Sequence, residues 1–340
     1  MIMIREIARR SPLLRKCYFW YKRVKYSLYT EKRVEKLVFN YQRNRFHQYS
    51  GVYNDTQLKE ISFLTWLYHV IEKGLAMPGM RLGFGYDKIL LLHDKVLEFK
   101  AKYGIEPQLY DAVSTALEYK RVHDEANYKL SDEVSKAIED LHKQFKNVES
   151  LNQLVYTREE YFNISNLSFP DFIKSRHSVR NFEGTIAMEQ LMHAIEMAMT
   201  APSACNRQPS RVHIITNKYL IQKCLSLQNG NRGFGELADK LLIVTGDLQT
   251  ILGSQEFFDL NTNVGIFIMN LSYSLHYNKV AHCILNWYVY PENDVRLRNL
   301  VGVPNSETVV AFIVCGGAPE VFKVVRSPRI DAKQIYTVHS

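Results

Sequence analysis

The sequence predicts an all-helical N-terminal half followed by a mixed α/β layer. Between about residues 56 and 146, apolar residues recur at spacings of three and four, which is the period of amphipathic helices. Beyond about residue 165, short strand-like runs alternate with helical segments, and this alternation indicates a sheet covered by helices. Periodicity alone leaves open whether the strands are parallel.

The positive charge of the chain is confined to its first 50 residues. The formal net charge is +8, but residues 1–50 hold 13 Lys and Arg against 3 Asp and Glu, a net of +10. The other 290 residues hold 30 basic and 32 acidic side chains, a net of −2. This distribution excludes a basic nucleic-acid-binding body and predicts a single basic arm.

The basic arm mixes cations with aromatic residues, most densely in the run KCYFWYKRVKY at residues 16–26. Such a run could lie on an anionic membrane surface or stack on single-stranded nucleic acid. It could also be a helix whose aromatic side packs on its own protein while its cations are solvated. As external partners of residues 1–50 we retain a peripheral membrane contact and expect no nucleic acid.

Four helices are expected between the arm and about residue 165. The first uses Leu58 to Ile71 and stops at Gly74, and the second runs from about Ile89 to Phe99. Pro107 opens the third, and Ser131 before two acidic residues is a good N-cap for the fourth. A loop rich in Gly and Pro, residues 74–85, separates the first two helices.

The composition is that of an ordinary cytoplasmic protein. No apolar run reaches the length of a membrane-spanning helix, and charged residues interrupt the apolar start that a secretory signal would need. The five cysteines are scattered and show no CxxC spacing, which indicates reduced thiols. We therefore expect a cytoplasmic location, with peripheral attachment to the inner face of the membrane as the open alternative.

After about residue 165, the predicted elements alternate. A short helix starting near Ser168 delivers Arg176, and a longer one ends at Pro202. Strands are expected at residues 212–216, 241–245 and 308–315, with a long apolar helix at about 255–277 and another helix at about 292–301.

Two motifs flank the longer helix and carry the chemistry of the chain. The run Arg-His-Ser-Val-Arg at residues 176–180 places two cations and a hydroxyl within five residues, which suits a phosphate or another anion. The run APSACNRQP at residues 201–209 ends the helix and then offers an amide pair, Asn206 and Gln208, that suits the edge of a flat ring. Together they predict a site for a phosphorylated heterocyclic cofactor.

Other catalytic signatures are not found in the sequence. The 11 histidines show neither HxxxH nor HExxH spacing, so no metal site is predicted. Neither GxGxxG nor a P-loop occurs. No side chain is therefore assigned as a nucleophile or a metal ligand.

With these motifs the chain resembles the FMN-dependent nitroreductase family over about residues 168–335. The order of the motifs carries the resemblance: residues 176–180, then 201–209, then Val-Gly-Val-Pro at 301–304, Gly-Gly-Ala-Pro at 316–319, and the pair Arg326 and Arg329. The helical part is similar to the extension of nitroreductase-like proteins encoded with polysaccharide-synthesis genes, notably at residues 69–75 and 81–85.

The resemblance implies an α+β fold, a mixed and mostly antiparallel sheet flanked by helices and preceded by the all-helical module. It divides the chain into a basic arm at 1–50, a helical module at 51–165 and an FMN-binding domain at 166–340. The family is normally a homodimer with two FMN sites at the subunit interface. The apolar helix at about 255–277 would be the central interface helix, because a monomer would expose its apolar face.

The resemblance also assigns roles to single residues. Arg176 and Ser178 would bind the FMN phosphate or ribityl chain, and His177 would act mainly through its backbone. Arg180 would lie near flavin N1 and O2, where a cation stabilises the negative charge of the reduced ring. The backbone near Leu285 and Asn286 would approach flavin N5. The remaining cofactor-binding candidates are Pro202, Ser203, Asn206, Gln208, Asn231, Arg326 and Arg329.

The function implied is an FMN-dependent oxidoreductase that uses NAD(P)H as a diffusible hydride donor in a ping-pong cycle. Its small-molecule acceptor stays open, as does the choice between NADH and NADPH, and the extension suggests a place in polysaccharide biosynthesis. The helical module is a candidate cover for the flavin site, through Arg81 or Lys73. The alternative is a membrane-associated flavin-binding scaffold for glycan assembly with little turnover.

Overall fold

The computed structural model describes residues 16–18, 20, 31–49, 52–53, 55–151, 153–253 and 256–339. Most of the basic arm, including the larger part of the aromatic run at 16–26, lies outside these residues. The described part of the arm contains a helix, α1 (Glu31–Tyr49). On α1, the ring of Phe39 lies 4.9 Å from that of Phe257 and 6.0 Å from that of Phe258. At this point the arm packs on its own protein.

The helical module contains the four helices that the sequence predicts: α2 (Gln57–Leu75), α3 (Tyr86–Tyr103), α4 (Pro107–Glu125) and α5 (Asp132–Gln144). Side-chain caps begin two of them, because the Thr56 hydroxyl accepts from the backbone of Lys59 and the Ser131 hydroxyl from that of Val134. Their apolar faces meet in one core that includes Leu67, Leu92 and Tyr119.

The sheet-bearing part follows. Its strands are β1 (Leu154–Thr157), β2 (Ser210–Ile215), β3 (Lys240–Asp247), β4 (Ala281–Asn286), β5 (Glu307–Gly316) and β6 (Val321–Val324). Its helices are α6 (Arg158–Tyr161), α7 (Phe169–Ser175), α8 (Met188–Ala198), α9 (Lys218–Leu225), α10 (Asp259–Tyr277) and α11 (Pro291–Val301).

The main sheet has four strands in the order β2-β3-β5-β4, and every neighbouring pair is antiparallel. Alternate side chains of β3 and β5 enter two different cores. Leu241 and Ile243 face a core beneath α9 and α11, whereas Leu242 and Val244 face one built with α8 and α10. Helices thus cover both faces, which explains why β3 is buried almost throughout.

A second sheet joins distant parts of the chain. β1 pairs with β6 in antiparallel register, with Leu154 opposite Val324 and Thr157 opposite Val321. The segment that leaves the helical module is therefore hydrogen-bonded to the strand that precedes Arg326 and Arg329. Residues 154–157 lie before the boundary near 165 that the sequence suggests, yet they pair with the C-terminal strand.

The predicted fold class, α+β with an antiparallel sheet flanked by helices and an N-terminal helical region, is confirmed. Three predicted strands correspond to β2, β3 and β5, and the apolar helix corresponds to α10, which begins at Asp259. The helix before Pro202 ends earlier than expected, at Ala198. Strands β1, β4 and β6 and helix α9 are not among the predicted elements.

Candidate functional site

The Arg-His-Ser-Val-Arg segment leaves α7 and runs beside β4. The N–H of Val179 donates to the carbonyl of His282 at 3.0 Å, and the Val179 side chain is fully buried. The hydroxyl of Tyr161 accepts from the N–H of His177 at 3.0 Å and donates to its carbonyl at 3.2 Å. Ser178 and Arg180, on either side of Val179, are half-buried.

The Gly316-Gly317 pair at the end of β5 fixes the continuation of this segment. The carbonyl of Gly317 accepts from the N–H of Glu183 at 2.9 Å. A Cβ atom at Gly317 would overlap the carbonyl oxygen of Glu183, and one at Gly316 would lie 2.9 Å from the Cβ of Phe182. Two glycines are therefore needed for the backbones to approach this closely.

Positive charge converges at the start of the segment, in a group that we term the cationic corner: Arg176, His177, Arg326 and Arg329. Burial lowers the pKa of His177, and the charges of the three arginines lower it further. The ring is oriented because its Nδ1 hydrogen-bonds to the carbonyl of Ser175 at 2.9 Å. The corner joins residues that are 150 positions apart in the sequence. The positive charge of its arginines around the weakly basic His177 favours the binding of an anion.

Two buried histidines lie close to the cationic corner. The Nε2 atom of His276 is 2.8 Å from the hydroxyl of Ser175, and that of His282 is 2.8 Å from the hydroxyl of Ser272. Burial is the main cause that lowers the pKa of His276 to about 3 and that of His282 to about 4, and Arg176 contributes to both. Both rings are therefore neutral near pH 7.

The other end of the segment carries Arg180. Its guanidinium carbon lies 6.0 Å from the centre of the Phe234 ring, within the range of a cation–π contact. The Ser178 side chain hydrogen-bonds to the buried thiol of Cys283. Burial raises the pKa of that thiol, although Arg180 opposes the shift, so Cys283 is protonated at neutral pH.

The helical module reaches this end of the segment through Lys73. Burial lowers the pKa of the half-buried Lys73 ammonium, and the charge of Arg180 is the next cause. Met77, just after α2, packs against the core that contains Phe234, and a Cβ at Gly233 would lie 3.9 Å from its sulfur. Arg81, the other residue considered for this contact, is exposed.

Leu285 and Asn286 lie at the end of β4 and belong to a regular strand. Leu285 is buried and Asn286 is exposed. The carbonyl of Asn286 accepts from the side-chain amide of Gln228 at 3.0 Å. The amide nitrogen of Asn231 in turn donates to the carbonyls of Leu225 and Gln228 at 2.8 and 2.9 Å. Asn231 therefore closes its own turn, and its side-chain oxygen is the atom left for a cofactor contact.

The turn after Pro202 is built separately. The Ser203 hydroxyl accepts from the N–H of Gln208 at 3.0 Å, and the Gln208 amide donates to the side-chain oxygen of Asn206 at 3.1 Å. Asn206 and Gln208 have φ values of 55° and 48°, which are strained for residues with a side chain. Both residues, like Pro202, are exposed.

The turn is anchored to α10 and not to the cationic corner. The N–H of Ala204 donates to the side-chain oxygen of Asn263 at 2.7 Å, and Arg207 pairs with Glu256 at 2.7 Å. Within residues 153–253 and 256–339, no hydrogen bond joins the 202–208 turn to the 176–180 segment. One chain thus brings the candidate residues together in two separate groups.

Sequence reasoning missed Tyr161, Gln228 and Glu72 as parts of this region. Tyr161 fixes the backbone of His177, Gln228 links Asn231 to Asn286, and Glu72 binds the backbone of Ser327. Each contact spans many residues, so no local pattern could have indicated it. Among the described residues, no group of three or more His, Cys, Asp or Glu could hold a metal ion. None of the described helices is both long and apolar enough to cross a membrane.

Comparison with known proteins confirms the resemblance found in the motifs. Residues 173–230, which contain both of them, match the Nitroreductase family. No curated protein matches the chain.

Solved structures of similar fold cover about half of the chain. A nitroreductase family protein from Clostridium difficile 630 is 20% identical, with 51% of this chain and 99% of that chain covered and a TM-score of 0.43. A nitroreductase-like protein from Streptococcus mutans is 18% identical, with coverages of 51% and 98% and a TM-score of 0.44. A Desulfovibrio desulfuricans protein described as a nitroreductase, solved in complex with FMN, is 15% identical, with coverages of 52% and 99% and a TM-score of 0.43.

Proposed function

We propose that the chain is an FMN-dependent oxidoreductase that takes electrons from NAD(P)H and reduces a small organic acceptor. The cationic corner is the observation that carries this proposal. Beyond the effect of burial, the charges of Arg176, Arg326 and Arg329 lower the pKa of His177 further, and a phosphate dianion would compensate that positive charge. The match to the Nitroreductase family over residues 173–230 supports FMN as the phosphorylated cofactor.

The residues present fit FMN at both of its ends. Arg176, Arg326 and Arg329 would hold the phosphate, with Ser178 on the ribityl side. Arg180, held over Phe234, would lie at the pyrimidine edge of the ring and stabilise negative charge there. The end of the edge strand β4, at Leu285 and Asn286, would present its backbone to the face of the ring that reacts.

FMN, when bound, supplies hydride transfer, accepting a hydride from NAD(P)H and passing it to the acceptor. We propose a ping-pong cycle in which donor and acceptor use the same face in turn. The protein's own part is to bind and orient the ring through Arg180 and to keep the buried His276 and His282 uncharged beneath the phosphate end. No side chain of the site is required as a nucleophile.

A homodimer would complete the site. One surface of α8 and α10 is apolar and exposed, and it includes Met192 (49% exposed), Met199 (47%), Ile266 (42%) and Met269 (37%). Burying such a patch favours self-association. Because the 202–208 turn is anchored to α10, a second copy on this surface would bring its own Pro202, Ser203, Asn206 and Gln208 toward the first copy's flavin.

Other observations support proposals for the acceptor, the cellular location and a membrane contact. The similarity of the helical module to extensions found in polysaccharide-synthesis clusters supports an acceptor from that biosynthesis. The unpaired cysteines, three of which are buried, support a cytoplasmic location. The exposed Trp20 and the positive charge of residues 1–50 support a peripheral membrane contact. Liposome co-sedimentation tests this contact by comparing the full chain with a chain that lacks residues 1–50.

The decisive experiment is the colour and cofactor content of the purified protein. We expect a yellow protein that releases FMN on denaturation and whose flavin is bleached by NADH or NADPH. Comparing the two donors settles the choice between them. A colourless protein that cannot be reconstituted with FMN would overturn the proposal.

A further inference from the structure

Glu72 is a buried carboxylate that connects the helical module to the C-terminal tail. Its side chain is 1% exposed. One oxygen accepts from the N–H of Ser327 at 2.8 Å, and the other lies 2.9 Å from Nδ1 of His69. A carboxylate removed from water needs such partners. The contact with Ser327 spans 255 positions and is made to backbone, so it fixes the path of the tail.

Ser327 needs to be held, because its backbone is strained. Its φ is 48°, in the left-handed region that residues with a side chain avoid. It also precedes Pro328, and residues before proline ordinarily adopt extended backbone. Such a conformation persists only where the surroundings impose it.

Both backbone groups of Ser327 are engaged. Glu72 binds its N–H, and the guanidinium of Arg329 donates to its carbonyl. Farther along the tail, Ile330 and Gln334 share one cavity with Leu58 and Ile61 of α2. The tail that carries Arg326 and Arg329 therefore runs along α2 from residue 327 to residue 334.

We propose that Glu72 is a positioning residue for the phosphate group of the cofactor. By holding the Ser327 turn, it keeps Arg326 and Arg329 at the cationic corner beside His177. The helical module is thus part of the cofactor site without touching the cofactor. This inference rests on the proposed FMN site, and it assigns to the module a role in recognising the phosphate monoester.

The test compares two ligands that differ by that phosphate. FMN and riboflavin affinities are measured by flavin fluorescence quenching for the full-length protein and for Glu72→Ala and Glu72→Gln. In Glu72→Ala the FMN affinity should fall by about 10-fold to 100-fold, the range for losing a hydrogen bond to a charged group. In the same variant the riboflavin affinity should stay within about twofold of the wild-type value, because riboflavin lacks the phosphate and changes at separate sites act independently. Glu72→Gln keeps an acceptor for the Ser327 N–H and should retain most of the FMN affinity.

Two further variants separate positioning from general destabilisation. Leu141→Ala removes a fully buried side chain of α5, within the core of the same module. It should lower the melting temperature and leave the ratio of FMN to riboflavin affinity unchanged. Ser327→Gly in the Glu72→Ala background should restore part of the FMN affinity, since glycine adopts a positive φ without strain.

A Glu72→Ala protein that does not fold would be replaced by Glu72→Asp, which keeps the charge but shortens the side chain, so that it no longer reaches the Ser327 N–H. The same selective loss of FMN affinity is expected. Equal losses of FMN and riboflavin affinity, no loss of either, or a Glu72→Gln protein as weak as Glu72→Ala would overturn the inference. Failure of the wild-type protein to bind FMN would instead overturn the proposed function.

Discussion

The two groups of candidate cofactor residues differ in how one chain supports them. The cationic corner is assembled from the 176–180 segment and the C-terminal tail, with Tyr161 and Glu72 fixing the backbones on either side. The 202–208 turn exposes Pro202, Asn206 and Gln208, has positive φ at the last two, and is anchored to Asn263 of α10, to Glu256 and to the carbonyl of Thr250. One group is held from two sides within the chain, and the other faces outward. In the proposed homodimer, the second group would serve a site completed by another copy.

The largest expected effect comes from breaking the association of two copies. Ile266→Asp places a carboxylate on the exposed face of α10 in both copies, where it would be buried without a partner. We expect the dimer dissociation constant to rise about a thousandfold, roughly 4 kcal/mol. Analytical ultracentrifugation measures the association, and FMN titration should show the affinity falling with it.

A charge on another surface provides the control for that variant. Tyr219 on α9 is 66% exposed and lies off the α8–α10 face. Tyr219→Asp should leave association and FMN affinity unchanged. An Ile266→Asp protein that stays dimeric, or a monomer that binds FMN with full affinity, would show that the turn does not serve a second copy.

The next effect is on acid stability and concerns His282, one of the two buried histidines close to the cationic corner. His282 is buried and neutral, with its pKa lowered to about 4, whereas the unfolded chain titrates near 6.5. Between those pH values the unfolded state binds the extra proton, so stability is full above about pH 6.5 and falls toward pH 4. The loss from His282 alone should approach about 3 kcal/mol. Denaturant unfolding at pH 7 and pH 5 measures it.

Substitution of this histidine should flatten the pH dependence. His282→Gln is expected to be less stable at pH 7 but to lose less on acidification. The exposed His193 on α8 provides the control, since His193→Gln should keep the wild-type slope. If the free energy of unfolding depends on pH in the same way for wild type and His282→Gln, this would contradict the lowered pKa of His282.

A smaller effect is expected at Lys73. Lys73→Met removes one of two cations at the Arg180 end of the site, so binding of a carboxylate-bearing acceptor analogue should weaken by about fivefold, near 1 kcal/mol. A neutral analogue should bind unchanged. Lys88→Met, which removes a cation lying over the exposed Trp66 ring, is the matched control. Equal effects on charged and neutral analogues would assign Lys73 a packing role.

A last effect, similar in size to that of Lys73→Met, should come from the turn itself. Ser203→Ala removes the acceptor of the Gln208 N–H, which costs about 1 kcal/mol. Since the turn would meet the cofactor only across the interface, we expect a loss of FMN affinity of about fivefold at unchanged dimer stability. Isothermal titration at several protein concentrations separates the change in FMN affinity from any change in dimer stability. Loss of riboflavin and FMN affinity should be equal here, unlike at the cationic corner.

The helices could be predicted from sequence because their signals are local. The spacing from Leu58 to Ile71 repeats within a single helix of about four turns, the cap at Ser131 acts within one turn, and the structure places α2 and α5 there. Runs of β-branched and apolar residues also predict strands β2, β3 and β5. No such run predicts β4, because His282, Cys283 and Asn286 interrupt the apolar pattern, although the first two are buried.

Contacts across long sequence separations were beyond such signals. Arg326 and Arg329 could be related to Arg176 only through the family resemblance. Nothing in the sequence near Glu72 indicates that its carboxylate binds Ser327, because the hydrogen-bond donor is a backbone group. The turn that contains Asn206 is likewise anchored from a distance, through the contact of Ala204 with Asn263 of α10. Long-range backbone contacts are therefore what the structure adds.

The pairing of β1 with β6 also bears on the synthesis of the protein. Residues 154–157 leave the ribosome long before residues 321–324, so β1 waits for its partner while the four-stranded sheet is being made. The tail beyond β6, which carries two arginines of the corner, emerges later still. If the corner holds the phosphate of FMN as proposed, a nascent chain that ends before the tail lacks part of that site, and the cofactor would bind only after the tail has been made.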